Sequence, residues 1–103
     1  MKLHAKVDTG AEFCIFQHEY ADMLEIDLEE GEKNVMATAN GTFTTFGHNV
    51  SLEVLGLQYD TMVYFAQDVS IRRNVLGRNG WILKSRIGIV DHDQKLYISP
   101  YDE

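Results

Sequence analysis

Between Asn34 and Ala66 the chain alternates apolar and polar residues with a period of two, which limits this stretch to strands rather than helices. Val35-Met36-Ala37-Thr38-Ala39 leads into Asn40-Gly41, and Thr42-Phe43-Thr44-Thr45-Phe46 leads out. Asn-Gly between two β-prone runs is the strongest short-range hairpin signal, because a type I′ turn needs positive φ at both central residues. Val50, Leu52 and Val54 alternate with Ser51 and Glu53 in a further strand. Gly56 then turns the chain into residues 58–66, where Tyr59, Thr61, Val63 and Phe65 face one way. The sole proline is Pro100, so no interior strand loses a ladder donor.

The flanks fit the same plan. Leu3, Ala5 and Val7 alternate with Lys2, His4 and Lys6, which reads as a strand running into Asp8. Cys14-Ile15-Phe16 is a short apolar run, read as a second strand. Tyr20, Met23 and Leu24 stand at helical spacing and predict one or two helical turns over residues 17–24. Residues 27–33 are charged and read as a solvated loop. Trp81-Ile82-Leu83 and Ile87 predict a short helix over residues 79–87 with Asn79 as its N-cap. Residues 87–90 and 95–99 flank Asp91-His92-Asp93-Gln94 as a last hairpin. There is no internal repeat, and the expected class is all-β: a small barrel or sandwich with one or two short helices.

Composition bounds the function. A chain of 103 residues holds one core, so residues 1–103 are read as a single domain. No apolar run approaches the ~20 residues that cross a bilayer, and Met1-Lys2-Leu3-His4 lacks an apolar leader, so a cytoplasmic protein with no membrane partner is expected. The net charge of -7 opposes a phosphate backbone and excludes nucleic acid as the expected partner. No cofactor is expected, because no glycine-rich phosphate loop is present. No metal is expected either: His18-Glu19 opens like a zinc-binding helix, but Asp22 stands where a second His is needed. A single cysteine, Cys14, excludes an internal disulfide. It sits in the apolar run Phe13-Cys14-Ile15-Phe16 and reads as core despite His18 nearby. Trp81 reads as a core anchor.

The first strand delivers Asp8-Thr9-Gly10-Ala11 into a turn. On its own that is an ordinary turn sequence, with Asp capping its own backbone. It is also what one half of an aspartic protease site requires. That chemistry needs two carboxylates a few Å apart sharing one proton, one acting as base on a water and the other donating to the scissile carbonyl oxygen. Such a pair titrates as a unit. One Asp-Thr-Gly supplies one carboxylate, so an active form must be a two-fold dimer with the pair on its axis.

Together these features resemble the retropepsin-like aspartic proteases over almost the whole chain. Asp8-Thr9-Gly10-Ala11 ends an early strand, the Asn40-Gly41 hairpin falls where that family has its flap, and Val75-Leu76-Gly77-Arg78 matches its two-hydrophobes-then-Gly motif. The resemblance implies a small closed β-barrel of the acid-protease type that forms a homodimer and hydrolyses protein or peptide substrates. It implies that Asp8 is catalytic, that Thr9 grips the second copy and that Gly10 allows the tight loop. Ala11, the flap tip Ala39, Asn40, Gly41 and Thr42, and Val75 and Leu76 would bind substrate. Gly77 would leave room beneath the catalytic loop. Arg78 would pair with Glu12, where the family more often has Asp.

The chain departs from that pattern at its front. The family places a substantial hairpin before the catalytic strand, and here only residues 1–7 precede Asp8. The last hairpin, with Ile87, Ile89, Leu96 and Ile98 on a terminal element, is expected to take over the dimer seam. Two functions follow: an aspartic endopeptidase, or a non-catalytic dimerisation or peptide-binding module of the same fold. The intact Asp-Thr-Gly favours the first, since a binding module has no need of that carboxylate.

Overall fold

In the computed structural model, which describes residues 2–90 and 95–100, the two-residue alternation becomes strands in this order: β1 (Lys6–Val7), β2 (Ile15–Phe16), β3 (Glu32–Thr38), β4 (Gly41–Val54), β5 (Leu57–Ala66), β6 (Val75–Leu76), β7 (Ser85–Val90) and β8 (Lys95–Pro100). One α-helix, α1 (His18–Met23), follows β2, and short 3-10 turns occupy Leu28–Glu30 and Ile82–Lys84. Six strands make one sheet in the order β1-β6-β2-β5-β4-β3, while β7 and β8 pair antiparallel in a sheet of their own. The turn expected at Asp91-His92-Asp93-Gln94 lies outside the described residues.

The central strand is β5. Its Tyr59, Thr61, Val63 and Phe65 are buried on one face, as the alternation predicts, and Tyr64 and Ala66 are buried on the other. On the first face Phe46, Phe65, Phe16, Val63, Leu76 and Trp81 form the main core, closed at the side by Ala21 of α1 and by Leu28. Burying one such side chain contributes about 2 kcal/mol. Leu28 also explains why residues 27–33 are not a plain solvated loop. Its carbonyl accepts the His48 Nε2–H at 2.8 Å, which ties the entry of β3 to β4.

Three local expectations are corrected. The hairpin at Asn40-Gly41 forms, but Thr38 pairs with Gly41, so Ala39 and Asn40 make the turn and Asn40 does not take positive φ. Gly41 alone enters that region, at φ 139°. The two-residue turn with positive φ at both positions is instead Leu55-Gly56, at 51° and 83°, between β4 and β5. After β6 the helix expected over 79–87 is reduced to the single 3-10 turn Ile82–Lys84. Asn79 bridges Phe13, its N–H donating to the Glu12 carbonyl at 2.8 Å, and Ser85 already begins β7. That return segment is fixed to β5 instead: Thr61 Oγ1 donates to the Gly80 carbonyl at 2.7 Å and Lys84 Nζ to the Asp60 carbonyl at 3.2 Å.

The expected closed barrel is the larger correction. Closure needs strands paired continuously from edge to edge. Here β1 pairs over two residues only, and β3 covers β4 no further than Gly47. The rest of β4, from His48 to Val54, has β5 on one side and, among the described residues, no strand on the other. Between that free edge, α1 and residues 2–5 lies an open cleft of about 930 Å³, floored by Phe16, Val63, Phe65 and Leu76. Among the described residues no helix is long and apolar enough to cross a membrane.

Leu55 is 67% exposed and held at φ 51°, so its side chain contributes little packing against a left-handed conformation that costs about 1–2 kcal/mol. Leu55→Asn is expected to raise stability by about 1 kcal/mol in urea unfolding. An unchanged or lower midpoint would mean that this turn does not hold Leu55 in that conformation.

Candidate active site

The site begins where β1 stops. β1 lies parallel to β6, with Lys6 opposite Val75 and Val7 opposite Leu76, and the Asp8 N–H continues that ladder to the Leu76 carbonyl at 3.1 Å. The Ala11 N–H then donates to the Asp8 carbonyl at 3.1 Å, closing a four-residue turn. Within it the Gly10 N–H donates to Asp8 Oδ1 at 2.9 Å, which orients the carboxylate. Asp8 is half-buried, whereas Thr9 and Gly10 are exposed. Gly10 does not take positive φ; its value is room, since a Cβ there would lie 3.2 Å from Asp8 Oδ1.

Gly77 underlies this turn. A Cβ on it would run into the Phe13 carbonyl and stand 2.9 Å from the Ala11 carbonyl oxygen, so the backbones touch where no side chain fits. The Arg78 N–H donates to the Ala11 carbonyl at 2.9 Å. The side chains of Glu12 and Arg78 are both exposed, and their segments are joined through backbone. Among the described residues Glu12 and Arg78 do not form the expected side-chain ion pair; on α1 His18 Nε2 lies 3.4 Å from Asp22 Oδ2.

Cys14 lies directly behind Gly77, whose N–H donates to its Sγ at 3.4 Å. It is fully buried, and burial pushes its thiol above the ordinary value of 9.0, partly offset by the bond to Gly77. It is a core residue, and a thiol held protonated is a poor nucleophile.

The register decides which side chains share a face of the sheet with Asp8. Lys6, Val75, Ile15, Tyr64, Gly47 and Glu32 lie opposite one another in a single row across the sheet. Carrying the β1 alternation to Asp8 puts its carboxylate on this face, together with Val75. Leu76 is on the other face, inside the main core, and supports the site from behind. Ala39, Asn40, Gly41 and Thr42 are all exposed at the tip of the β3–β4 hairpin. Thr38 Oγ1 closes that tip by accepting the Asn40 N–H at 3.3 Å and donating to the Gly41 carbonyl at 3.2 Å.

Phe13, Ile15 and Tyr64 share the Asp8 face and were missed from sequence. The run from Phe13 to Phe16 is apolar throughout, and only pairing with β5 and β6 separates Phe13 and Ile15 from Cys14 and Phe16. Chemically, one chain presents one oriented carboxylate. It can serve as base or as acid, and not as both in a single step.

An aspartyl protease family model matches residues 2–79. Among solved structures, the chain is similar to the crystal structure of a retropepsin-like aspartic protease from Rickettsia conorii, with a TM-score of 0.66 and 24% identity, over 90% of this chain and 76% of that one. No curated protein matches it.

Because Cys14 is raised above 9.0 and Tyr64 above 10.0, the unfolded chain releases both protons before the folded chain does. Stability is therefore expected to be full below pH 9 and to fall as the pH rises from there, followed as the urea midpoint. Cys14 should stay unlabelled by a thiol reagent until denaturant is added. Rapid labelling of the folded protein would contradict the burial on which both expectations rest.

Proposed function

The chain belongs to the aspartyl protease family with a retropepsin-like fold, and from that premise we propose that it is an aspartic endopeptidase assembled from two copies. The observation that carries this reading is the Asp8 carboxylate, held by the Gly10 N–H at 2.9 Å in a turn seated on Gly77. Two such turns facing each other across a two-fold axis would supply both carboxylates. With one proton shared between them, the ionised Asp8 takes a proton from water as the water attacks the scissile carbonyl. The protonated Asp8 gives its proton to the carbonyl oxygen. Collapse of the tetrahedral intermediate breaks the C–N bond: the departing nitrogen takes up the proton gained by the first carboxylate, and a hydroxyl of the intermediate returns a proton to the second, restoring the shared proton. Thr9, exposed at the turn, would grip its counterpart in the second copy.

The substrate is an extended stretch of polypeptide. The β3–β4 hairpin would cover it, with backbone groups around Ala39, Asn40, Gly41 and Thr42 bonding it as an added strand. Val75 and Ala11 would line the cleft beside Asp8. The seam between copies would be the β7–β8 hairpin, a sheet of its own whose strand edges can extend across a two-fold axis. Its register sets Ile87 opposite Ile98 and Ile89 opposite Leu96.

Cleavage of an unfolded protein is expected to rise in specific activity with enzyme concentration, as a dimer requires. Asp8→Asn should lower it by about 10²-fold or more, general acid–base catalysis contributing about 10²–10⁴-fold. A folded protein that binds peptide but never cleaves it would instead be the non-catalytic module. Deleting residues 92–103, which removes β8, is expected to leave a monomer in analytical ultracentrifugation. A dimer unchanged by that deletion would place the seam elsewhere.

A further inference from the structure

One side chain spans the distance between the catalytic turn and the hairpin above it. Tyr64 lies near the end of the central strand β5, paired with Ile15 of β2 on one side and with Gly47 of β4 on the other. Its ring is 6% exposed and lies on the Asp8 face of the sheet. Toward the catalytic turn it meets the Phe13 ring, with centroids 4.9 Å apart and planes tilted by 60°. Phe13 follows the Asp8–Ala11 turn by two residues, and its carbonyl is one of the groups that Gly77 must clear.

Toward the hairpin the ring passes over Gly47. A Cβ there would lie 2.8 Å from Tyr64 Cε1 and 3.1 Å from Cζ, so a glycine in the middle of the 14-residue strand β4 is what lets the ring cross. Glycine weakens a strand interior, and close approach of a neighbouring group is a usual reason for it. Past Gly47 the phenol reaches β3. Burial first, and then the nearby Glu32 carboxylate, raise the hydroxyl above its ordinary 10.0, and the Asn34 side chain within its reach opposes that rise. Asn34 is held from the other side too, its carbonyl accepting Thr45 Oγ1 at 2.8 Å.

We propose that Tyr64 is a positioning residue of the active site, fixing the root of the β3–β4 hairpin relative to the Asp8 turn through Phe13 on one side and Asn34 on the other. This rests on the protease reading for its functional meaning. The tip of the hairpin is exposed, whereas its root lies two strands from the loop that carries the carboxylate. The angle at which the hairpin closes over an extended peptide is then set where the Tyr64 ring crosses Gly47 and its hydroxyl faces Asn34. Tyr64 touches no reacting atom, so its contribution falls on binding.

Tyr64→Phe keeps the ring against Phe13 and over Gly47 and removes the hydroxyl alone. One neutral hydrogen bond corresponds to about a two- to tenfold effect, so KM for a peptide should rise by that factor. The turnover number should stay within about twofold, as expected when an interaction made equally in ground and transition states is lost. Backbone amides of β3 should exchange faster with solvent by a similar factor, while the amides of β5 keep their protection. Asn34→Ala should reproduce both changes, and the double variant should be no worse than either single one. Unchanged KM and unchanged β3 exchange in Tyr64→Phe would overturn the proposal, as would effects that multiply in the double variant. If the wild-type protein cleaves nothing in an Asp8-dependent way, the protease reading falls separately. The exchange of β3, measured without substrate, still decides whether Tyr64 holds the hairpin.

Discussion

The backbone-to-backbone contact at Gly77 is the constraint on which the rest of the structure depends. β6 runs between β1 and β2, parallel to one and antiparallel to the other, so the chain from Asp8 to Phe13 must cross directly over the end of β6. Any side chain at Gly77 would strike the Phe13 carbonyl. Forcing even one methyl into such a space costs about 1–3 kcal/mol. Because the space is left empty, the backbone N–H groups of Arg78 and Asn79 reach the carbonyls of Ala11 and Glu12 at 2.9 and 2.8 Å. The Asp8 turn is thereby anchored at both ends by ladder hydrogen bonds, and the carboxylate is held by the scaffold instead of by partner side chains.

What lies behind that contact is apolar and tightly filled. Cys14 and Trp81 are both fully buried, Cys14 against the Gly77 backbone and Trp81 in the return segment that follows it. The Trp81 indole N–H has no hydrogen-bond partner among the described residues. An unmet buried donor costs about 1–3 kcal/mol, comparable to what burying an aromatic ring contributes. The ring therefore serves chiefly to fill volume and to fix where the segment after Gly77 runs. Position, more than net stability, is what this part of the core supplies to the site.

The sheet divides its labour by face. One face is the main core under α1, continuing into the open cleft beside residues 2–5. The other carries Val75, Ile15, Phe13, Tyr64 and the oriented carboxylate, and the β3–β4 hairpin extends from it. The two faces have opposite needs. The core must exclude water and hold fixed rotamers, whereas the proposed function needs the Asp8 face open to an extended peptide and to a second copy. The central strand β5 is buried on both sides at its end and is shared by the two faces.

The sequence by itself determined the strand-rich class, the Asp8 turn, the glycine beneath it and the hairpin above it. Each of these depends on local chemistry: alternation with a period of two, a turn that suits Asp and Gly, and the absence of a side chain. It also marked Cys14 and Trp81 as core, because their neighbours are apolar. Tertiary structure decided the rest. Asn40-Gly41 reads as a primed turn in isolation, yet the register of β3 and β4 moves the turn back one residue and gives the positive-φ pair to Leu55-Gly56. Asn79 reads as a helix cap, yet it bridges to Phe13, and the helical turn in that segment starts only at Ile82. The closed barrel fails because closure depends on which edges meet, and no local signal states how far β3 or β1 will pair. Tyr64 is one more large side chain in a β-prone run; it lies between the Asp8 turn and the hairpin only because β2, β5, β4 and β3 are neighbours in space. Period and turn chemistry are carried by adjacent residues, while register and face come from contacts between residues far apart in the chain.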